Sequence, residues 1–391
     1  MKGAEGLSLS QGDRVEAPTK AQEACGGVSD LTRDVYCVFG APIDAANMGA
    51  TLNKIDEAST AAEPTLISTV NLNFLANSLV DPDFRESLLL SDFCTADGMP
   101  IVWLARLLGV PITERIAGAD ILDSLRSRTS DRKVALFIFG GADGIADAAH
   151  RILNGDNGDL TCIGTLNPGY GTIDEMSSNA IIAAINASNA DFLVVALGAT
   201  KGQAWLMRNH HRLRIPVRAH LGAAINFQAG SVKRAPKMIR DAGLEWLWRI
   251  KEEPHLGARY CHDGRLLLRL MLTRVLPLAF QARLRRWRRQ QELYVGLRSS
   301  ENCVALDISG DAITQYISRA TDQFQQALAL ASPSVVINLA AVRQIDQRFL
   351  GLLLMLRKCL RRRGTPLLFV GVPDWIRRLF QLNEVEFLLN E

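Results

Sequence analysis

The sequence predicts an α/β protein: a Rossmann-like, mostly parallel sheet with helices on both faces, followed by a small C-terminal α/β domain. Two observations predict this architecture. From residue 31 onward, short runs rich in β-branched residues alternate with longer helical patterns. The strand candidates are apolar along their whole length, which is typical of strands covered on both faces. Such sheets bind ligands beyond the carboxyl ends of their strands, so we expect function at that edge.

The predicted elements follow one another at regular intervals. Strands of the first sheet are predicted at 66–72, 133–140, 159–165, 191–198 and 216–222, with helices at 142–153 and 174–188. Past residue 300, strands are predicted at 302–309, 334–340 and 366–372, and helices at 314–331, 347–364 and 374–383. We therefore predict four regions: a disordered tail (1–30), a large domain (31–261), a basic linker segment (262–300) and a small domain (301–391).

Composition narrows the classes of function. The 391 residues are 48% hydrophobic and 22% charged, which is typical of a globular chain. The formal net charge of +3 is too small to predict a nucleic-acid partner. Seven cysteines, odd in number and without metal-ligand spacing, indicate reduced thiols in a cytosolic protein. No apolar run reaches the roughly 20 residues that span a bilayer, and we expect neither a metal nor another cofactor.

An acidic residue stands between a strand-like run and an apolar helical run in FCTADGMPIVWLARLLG (93–109). An Asp97-Gly98 step at a sheet edge would break the chain sharply and leave the carboxylate facing a cleft. The alternative is an ordinary turn, because Asp-Gly is among the commonest turn dipeptides. Spacing alone favours the turn.

Glycines follow two of the predicted strands, in FIFGGADGIADAA (137–149) and VVALGATKGQAWL (194–206). Glycine allows backbone N–H groups to approach a phosphate, and the helix N-terminus behind it favours an anion. Neither stretch is a complete dinucleotide fingerprint or a P-loop, so tight turns remain an alternative and an NAD-dependent oxidoreductase is only a weak one. Together the two stretches favour a nucleotide-type ligand at the sheet edge.

Residues 65–260 resemble the WecG/TagA/CpsF glycosyltransferase family. The matching stretches include TVNLNFL (69–75), ADGMPIVW (96–103), ERIAGADIL (114–122), DFLVVALGATKGQAWL (191–206) and KRAPKMIRDAGLEWLWRIKEEP (233–254). The resemblance implies transfer of a sugar from a nucleotide diphosphate, with UDP favoured, to a polyprenyl-diphosphate-linked glycan acceptor. It also implies inversion, no bound metal, a role in bacterial surface polysaccharide synthesis, and a peripheral location at the inner face of the cell membrane.

The resemblance further implies roles for individual residues. Asp97 is expected to act as general base, and Arg115 to hold the departing diphosphate. The expected substrate-binding residues are Thr69, Asn71, Gly98, Gly118, Asp120, Gly140, Gly141, Gly198, Lys201, Arg234, Arg249 and Arg259. Surface solvation is an equal alternative for the last three, because exposed arginines are common.

The chain departs from the family at one place. The family usually has Pro-Lys-Gln-Glu where this chain has Thr200-Lys201-Gly202-Gln203. Any role that this glutamine and glutamate have in the family is therefore open for this chain, and its preference among sugar donors is expected to differ from that of the family. The departure also keeps a second hypothesis open, in which the protein senses a nucleotide sugar without turnover and acts as a scaffold through its C-terminal domain.

Residues 262–291 combine leucines, Trp287 and many arginines with almost no acids. This composition favours contact with an anionic membrane surface, with a solvated linker or a partner-binding helix as alternatives. Residues 301–391 resemble a STAS domain, through VVINLAAVRQIDQRFLGLLLML (335–356). Regulatory STAS domains have a phosphorylated serine where this chain has Asp346-Gln347-Arg348-Phe349. We therefore expect docking to a protein partner, or scaffolding, rather than control by phosphorylation.

Overall fold

The computed structural model describes residues 29–129, 132–155, 158–285, 289–330 and 332–390. The predicted tail (1–30) lies outside the described residues except for its last two positions. Trp287 also lies outside them. The strands are β1 (Val35–Val38), β2 (Ala41–Asp44), β3 (Thr65–Val70), β4 (Phe93–Ala96), β5 (Val134–Gly140), β6 (Leu160–Leu166), β7 (Phe192–Ala196), β8 (Val217–His220), β9 (Tyr294–Ser299), β10 (Val304–Ala312), β11 (Val335–Ile345) and β12 (Leu367–Val370).

The helices lie between these strands, as the alternating pattern predicts. They are α1 (Met48–Ala61), α2 (Leu72–Val80), α3 (Pro82–Leu89), α4 (Met99–Leu107), α5 (Gly118–Ser127), α6 (Ile145–Asn154), α7 (Asn179–Ala187), α8 (Ala199–Asn209), α9 (Gly222–Gln228), α10 (Lys237–Asp241), α11 (Glu245–Glu252), α12 (Gly257–Leu270), α13 (Leu276–Arg285), α14 (Ile317–Ala329), α15 (Gln347–Arg362) and α16 (Asp374–Leu382). A π-helical turn (Met271–Val275) joins α12 to α13.

The larger sheet confirms the predicted fold class. Its six strands are all parallel, in the order β4-β3-β8-β7-β5-β6. Helices α1, α5, α6 and α9 contribute side chains to the core on one face, and α7 and α8 to the core on the other. All five predicted strands of this domain are present. The β5–β6 and β7–β8 connections leave in opposite directions, so a crevice is expected between the carboxyl ends of β5 and β7.

The second sheet has four strands in the order β12-β11-β10-β9. Only β9 is antiparallel to its neighbour, and it begins at Tyr294, before the predicted domain limit at 301. The three helices predicted for this domain are present as α14, α15 and α16. The mixed sheet with its helices confirms the small C-terminal α/β domain, whereas its limits remain a prediction.

A hairpin that the sequence analysis did not predict links the two domains. Strands β1 and β2 pair through a tight turn at Phe39 and Gly40, both with positive φ. Helix α15 of the C-terminal domain packs on β1. Val35, Phe349 and Leu353 are buried in one hydrophobic core that runs through both domains. The STAS-like domain is thus an integral part of the folded chain.

Charged residues are also buried at this contact between the domains. The Lys358 side chain is fully buried, and its Nζ lies 2.8 Å from Asp30 and 2.9 Å from Asp92. Arg362 pairs with the same two aspartates. Asp44, bound by Arg33, accepts a hydrogen bond of 2.7 Å from the Cys94 backbone N–H on β4. These contacts connect the C-terminal domain to the edge strand of the large sheet.

Candidate active site

The Asp97-Gly98 step lies at the carboxyl end of β4, where the chain turns sharply into α4. The Asp97 N–H donates to the Val70 carbonyl at the end of β3, 2.8 Å away. Gly98 has φ 93°, a conformation that favours glycine, and it precedes the helix without a side-chain cap. The step is therefore a turn, as spacing alone suggests. The carboxylate is not used in that turn, because none of the described residues forms a hydrogen bond or ion pair with it.

Withdrawal from water raises the pKa of the Asp97 carboxyl to about 7. Arg115 opposes this shift, while the neighbouring carboxylates of Glu245 and Asp120 add to it. A carboxylate that titrates near neutral pH is a far better proton acceptor than an ordinary aspartate. The sheet edge thus carries a carboxylate whose pKa lies near neutral pH.

Three arginines and three acids form a network of ion pairs that reaches Asp97 through Arg115, Asp120 and Glu245, and we call it the arginine–carboxylate cluster. Its members are Arg115, Asp120, Asp123, Arg234, Arg240 and Glu245. Arg115 contacts Glu245 and lies 2.7 Å from Asp120. Arg234 contacts Asp120 and Asp123. Two of the four predicted arginines, Arg115 and Arg234, are therefore close together, and both are paired with carboxylates.

Helix α11 brings Glu245 to this cluster from a distant part of the chain. The preceding Gly243 has φ 75°, and a Cβ there would lie 2.9 Å from Met99 at the start of α4. The α10–α11 segment therefore packs on the turn that carries Asp97. On the same helix Arg249 pairs with Glu253 at 2.6 Å and lies over the Phe227 ring. Glu245 was absent from the predicted site, although it lies in the recognised stretch 233–254.

Several predicted binding residues contribute to the local fold. Asn71 caps α2 by accepting from the Phe74 N–H at 3.0 Å. The Gly141 N–H donates to the Ala196 carbonyl at 2.7 Å, so it is already bonded within the protein. A Cβ at Gly118 would lie 2.5 Å from Cδ2 of Leu221, so a larger residue there would displace that side chain.

The other predicted residues divide between the interior, the sheet edge and the surface. Thr69 is buried in β3 and pairs with Thr95 of β4, two residues before Asp97. Gly140 has φ 92° at the end of β5, and Gly198 precedes α8 with open space around its Cα. Lys201 donates to the Gly171 carbonyl at 2.7 Å. Arg259 is exposed and lies over the Tyr260 ring, away from the cluster's ion pairs.

A histidine that the sequence analysis did not select lies at the carboxyl end of β8. The His220 ring lies beside that of Phe74, tilted by 30° with 5.9 Å between ring centroids, and its Nε2 contacts the Leu197 carbonyl. Burial lowers the pKa of this imidazole. Residues 217–220 were predicted only as part of a strand, so no sequence signal marked His220 as a site residue. Gly202, which lies against it in space, was noted as a departure from the family.

Exposed apolar side chains occur on helices close to Asp97. Leu268, Leu272, Leu276 and Phe280 are spaced by four residues, and each is more than half exposed. Trp103 and Leu107 on α4, and Trp246 and Leu247 on α11, are also exposed. Within the described residues, no helix is both long and apolar enough to cross a membrane.

Two family descriptions match the chain. Residues 36–280, more than half of its length, match the glycosyl transferase WecG/TagA/CpsF family, and residues 295–390 match the Mlab, STAS domain family. A relative from Bacillus spizizenii, N-acetylglucosaminyldiphosphoundecaprenol N-acetyl-beta-D-mannosaminyltransferase, is 29% identical over 189 residues. That similarity covers 48% of this chain and 71% of the relative.

Proposed function

The chain belongs to the WecG/TagA/CpsF glycosyltransferase family, and we propose that it transfers a sugar from UDP to a polyprenyl-diphosphate-linked acceptor. The transfer would invert the anomeric centre and need no metal. The observation that carries this proposal is Asp97, a carboxylate at the carboxyl edge of the sheet that no described residue pairs with and whose pKa is raised to about 7. The family membership weighs against the oxidoreductase alternative.

Asp97 supplies the base for a single displacement. Its carboxylate removes the proton from the acceptor hydroxyl while that oxygen attacks the anomeric carbon. The bond between the anomeric carbon and the diphosphate oxygen breaks on the opposite face, so the configuration inverts. The departing diphosphate carries the developing negative charge, which fixed cationic donors stabilise.

The arginine–carboxylate cluster is the proposed site of that diphosphate. Its three arginines and three acids balance in formal charge, so an entering diphosphate must displace a carboxylate from a guanidinium group. Glu245 is the acid best placed for this exchange, because it contacts Arg115 from the separate α10–α11 segment. Bidentate contacts suit arginine for diphosphate oxygens.

The relative's name gives the acceptor class that we propose for this chain, an N-acetylglucosaminyl diphosphoundecaprenol. Such an acceptor resides in a membrane. We therefore propose that the stripe of Leu268, Leu272, Leu276 and Phe280 lies on the inner face of the cell membrane, with exposed Arg265 and Arg269 contacting anionic headgroups. This role belongs to surface polysaccharide synthesis.

The predicted protein partner of the STAS-like domain remains a proposal. The N-terminus of α15, which corresponds to the regulatory site of STAS domains, is covered by this chain itself. Arg348 donates to the carbonyls of Arg33 and Val35 and pairs with Asp34. A protein partner would therefore bind another face of the STAS-like domain. The contact of α15 with residues 33–35 supports the alternative in which this domain acts as a scaffold.

A donor screen followed by a transfer assay tests the enzymatic proposal. Saturation-transfer NMR with UDP-, GDP- and dTDP-sugars should show binding of a UDP-sugar. The purified protein should then extend an undecaprenyl-diphosphate-linked N-acetylglucosamine, in the presence of EDTA, to a product of inverted configuration. Binding of GDP- or dTDP-sugars alone would overturn the choice of UDP, and loss of transfer in EDTA would overturn metal independence.

Vesicle flotation tests the membrane surface. Leu272→Glu combined with Phe280→Glu should weaken binding to vesicles of phosphatidylglycerol and phosphatidylethanolamine by roughly 100-fold, because two apolar side chains no longer insert. Ile163→Glu, at an exposed position on the opposite edge of the sheet, is the matched control and should bind as the wild type does. Equal binding of all three proteins would place the membrane contact elsewhere.

A further inference from the structure

Gly202 lies in the stretch 200–203 that departs from the family, and it packs against His220 at the end of β8. A Cβ at Gly202 would lie only 2.1 Å from Cδ2 of His220, so no larger residue fits beside this ring. Gln203, the next residue, is not a substitute for the missing glutamine. Its side chain is 1% exposed, and it donates to the Ser68 hydroxyl at 2.8 Å, inside the protein. The His220 ring therefore occupies the space that a side chain at position 202 would need.

The hydrogen bond to Leu197 decides which atom of His220 remains available. A carbonyl oxygen only accepts, so Nε2 must carry the hydrogen and donate to it. Burial lowers the pKa of the ring, which is therefore neutral near pH 7. The other nitrogen, Nδ1, is then a hydrogen-bond acceptor, and none of the described residues donates to it. The side chain is partly exposed, so a ligand can reach it.

The position of His220 relates it to the donor rather than to the acceptor lipid. It ends β8, whereas Asp97 follows β4, and β3 lies between these two strands. Neighbouring strands are about 4.8 Å apart, so the two side chains start roughly 10 Å apart along the sheet edge. In the proposed reaction the acceptor hydroxyl lies between Asp97 and the anomeric carbon, so acceptor hydroxyl and donor hexose together can cover that distance.

We propose that His220 is a specificity-determining residue of the donor site, whose Nδ1 accepts a hydrogen bond from a hydroxyl or acylamino N–H of the transferred sugar. A neutral acceptor nitrogen repels a diphosphate, so the sugar is the part of the donor it fits. This inference rests on the proposed function and deepens it. The His220 ring fills the space beside position 202, where the family usually has a glutamine.

Two isosteric substitutions separate this role from a structural one. His220→Gln keeps a donor near the position of Nε2 and so retains the bond to Leu197, but it has no acceptor at the position of Nδ1. His220→Asn places an amide oxygen at the position of Nδ1 and loses the bond to Leu197. Binding is measured by calorimetry with UDP, UDP-glucose, UDP-N-acetylglucosamine and UDP-N-acetylmannosamine.

The expected result is a change in preference. For the UDP-sugar that the wild type binds most tightly, His220→Gln should lose roughly tenfold in affinity relative to UDP, whereas His220→Asn should keep the preference within about threefold. Affinity for UDP alone should be unchanged in His220→Gln. Equal losses for UDP and UDP-sugar, or no loss in His220→Gln, would overturn the inference. A wild-type protein that binds none of the four compounds would instead refute the proposed function.

The steric pairing has its own test by thermal unfolding. Gly202→Ala should lower the melting temperature, because its Cβ collides with the imidazole. The double variant Gly202→Ala/His220→Ala should melt close to His220→Ala alone, since the collision is gone. A Gly202→Ala protein as stable as the wild type would show that the ring does not occupy this place, and the inference would fail with it.

Discussion

Two aspartates lie at the two ends of strand β4 and differ in almost every property except their partial burial. Asp92, before the strand, lies 2.9 Å from both Lys358 and Arg362 and accepts from the Leu66 N–H at 3.0 Å. These partners hold its pKa well below the usual range, although burial acts in the opposite direction. Asp97, after the strand, has no such partner among the described residues, and burial raises its pKa to about 7.

This difference shows that partners, rather than burial, decide what a carboxylate does. The paired Asp92 is a permanent anion that joins the C-terminal domain to the edge of the large sheet. Asp97, which none of the described residues pairs with, is the proposed proton acceptor at the opposite end of the same strand. One strand thus connects a structural anchor to the proposed base, which is the arrangement that a precisely held site needs.

The largest expected effect separates the two aspartates by activity. Asp97→Asn should reduce transfer by 10³-fold or more at pH 7.5, on the order of a general base's contribution or above, while donor affinity stays close to that of the wild type and the melting temperature is not lowered. Asp92→Asn is the matched variant and should lower the melting temperature but keep transfer within about tenfold at 20 °C. Normal turnover by Asp97→Asn would remove that residue from the base role.

The next effect concerns stability. Lys358→Met keeps the length of the side chain but leaves Asp30 and Asp92 without their buried cation, and breaking a buried pair destabilises by about 3–5 kcal/mol. Arg319→Met removes an exposed pair with Glu292 and should change stability by less than about 1 kcal/mol. Urea unfolding measures both variants, and equal small changes would mean that the domains are not held together by this cluster.

A smaller effect is expected from the acid that faces both Arg115 and Asp97. Glu245→Gln removes a charge that competes with the diphosphate, so UDP should bind roughly tenfold more tightly. The same change removes a neighbour that raises the Asp97 pKa, so the acid limb of the kcat/KM profile should move to lower pH. Calorimetry and a pH–rate profile test the two parts. Weaker UDP binding would show that Glu245 supports the diphosphate site instead of occupying it.

The smallest expected effect is on how stability depends on pH. For Asp97 the folded pKa lies above the unfolded value, so the folded state binds more protons and stability falls as pH rises from about 4 to about 7. For Asp92 the folded pKa is lowered, so its contribution is present at neutral pH and is lost as pH falls through the unfolded value near 4.

Unfolding measured at several pH values should therefore distinguish the two residues. Asp97→Asn should flatten the decline in stability toward neutral pH, whereas Asp92→Asn should weaken the loss of stability on acidification. An Asp97→Asn protein with an unchanged pH dependence would contradict the raised pKa of the carboxylate.

The two regions also differ in how far the sequence predicted them. The parallel sheet was predicted because apolar runs such as 133–140 and 191–198 are long and buried on both faces. The β1–β2 hairpin was missed, since its strands are short and its turn, Phe39-Gly40, is not one of the usual hairpin dipeptides. Strand β9 was also missed, because it is an edge strand within the segment that was predicted as a basic linker.

The same contrast holds within the candidate site. Asp97 was selected from the dipeptide and the resemblance, and Arg115 and Asp120 from one short motif. The approach of Glu245 to Arg115 joins residues 130 positions apart, and no local pattern records it. The placement of His220 against Gly202 likewise depends on how β8 and α8 pack.

By itself, the sequence determined the order of strands and helices, the sharp turn at Asp97 and the arginine-rich composition around the site, because each depends on neighbours along the chain. Only the tertiary structure decided which charges meet. It gave Asp92 two cations, left Asp97 without an ion pair among the described residues, and placed Glu245 on Arg115 and His220 over Gly202. Electrostatic and steric effects act through space over a few ångströms, and that proximity is a property of the packed fold rather than of spacing in the chain.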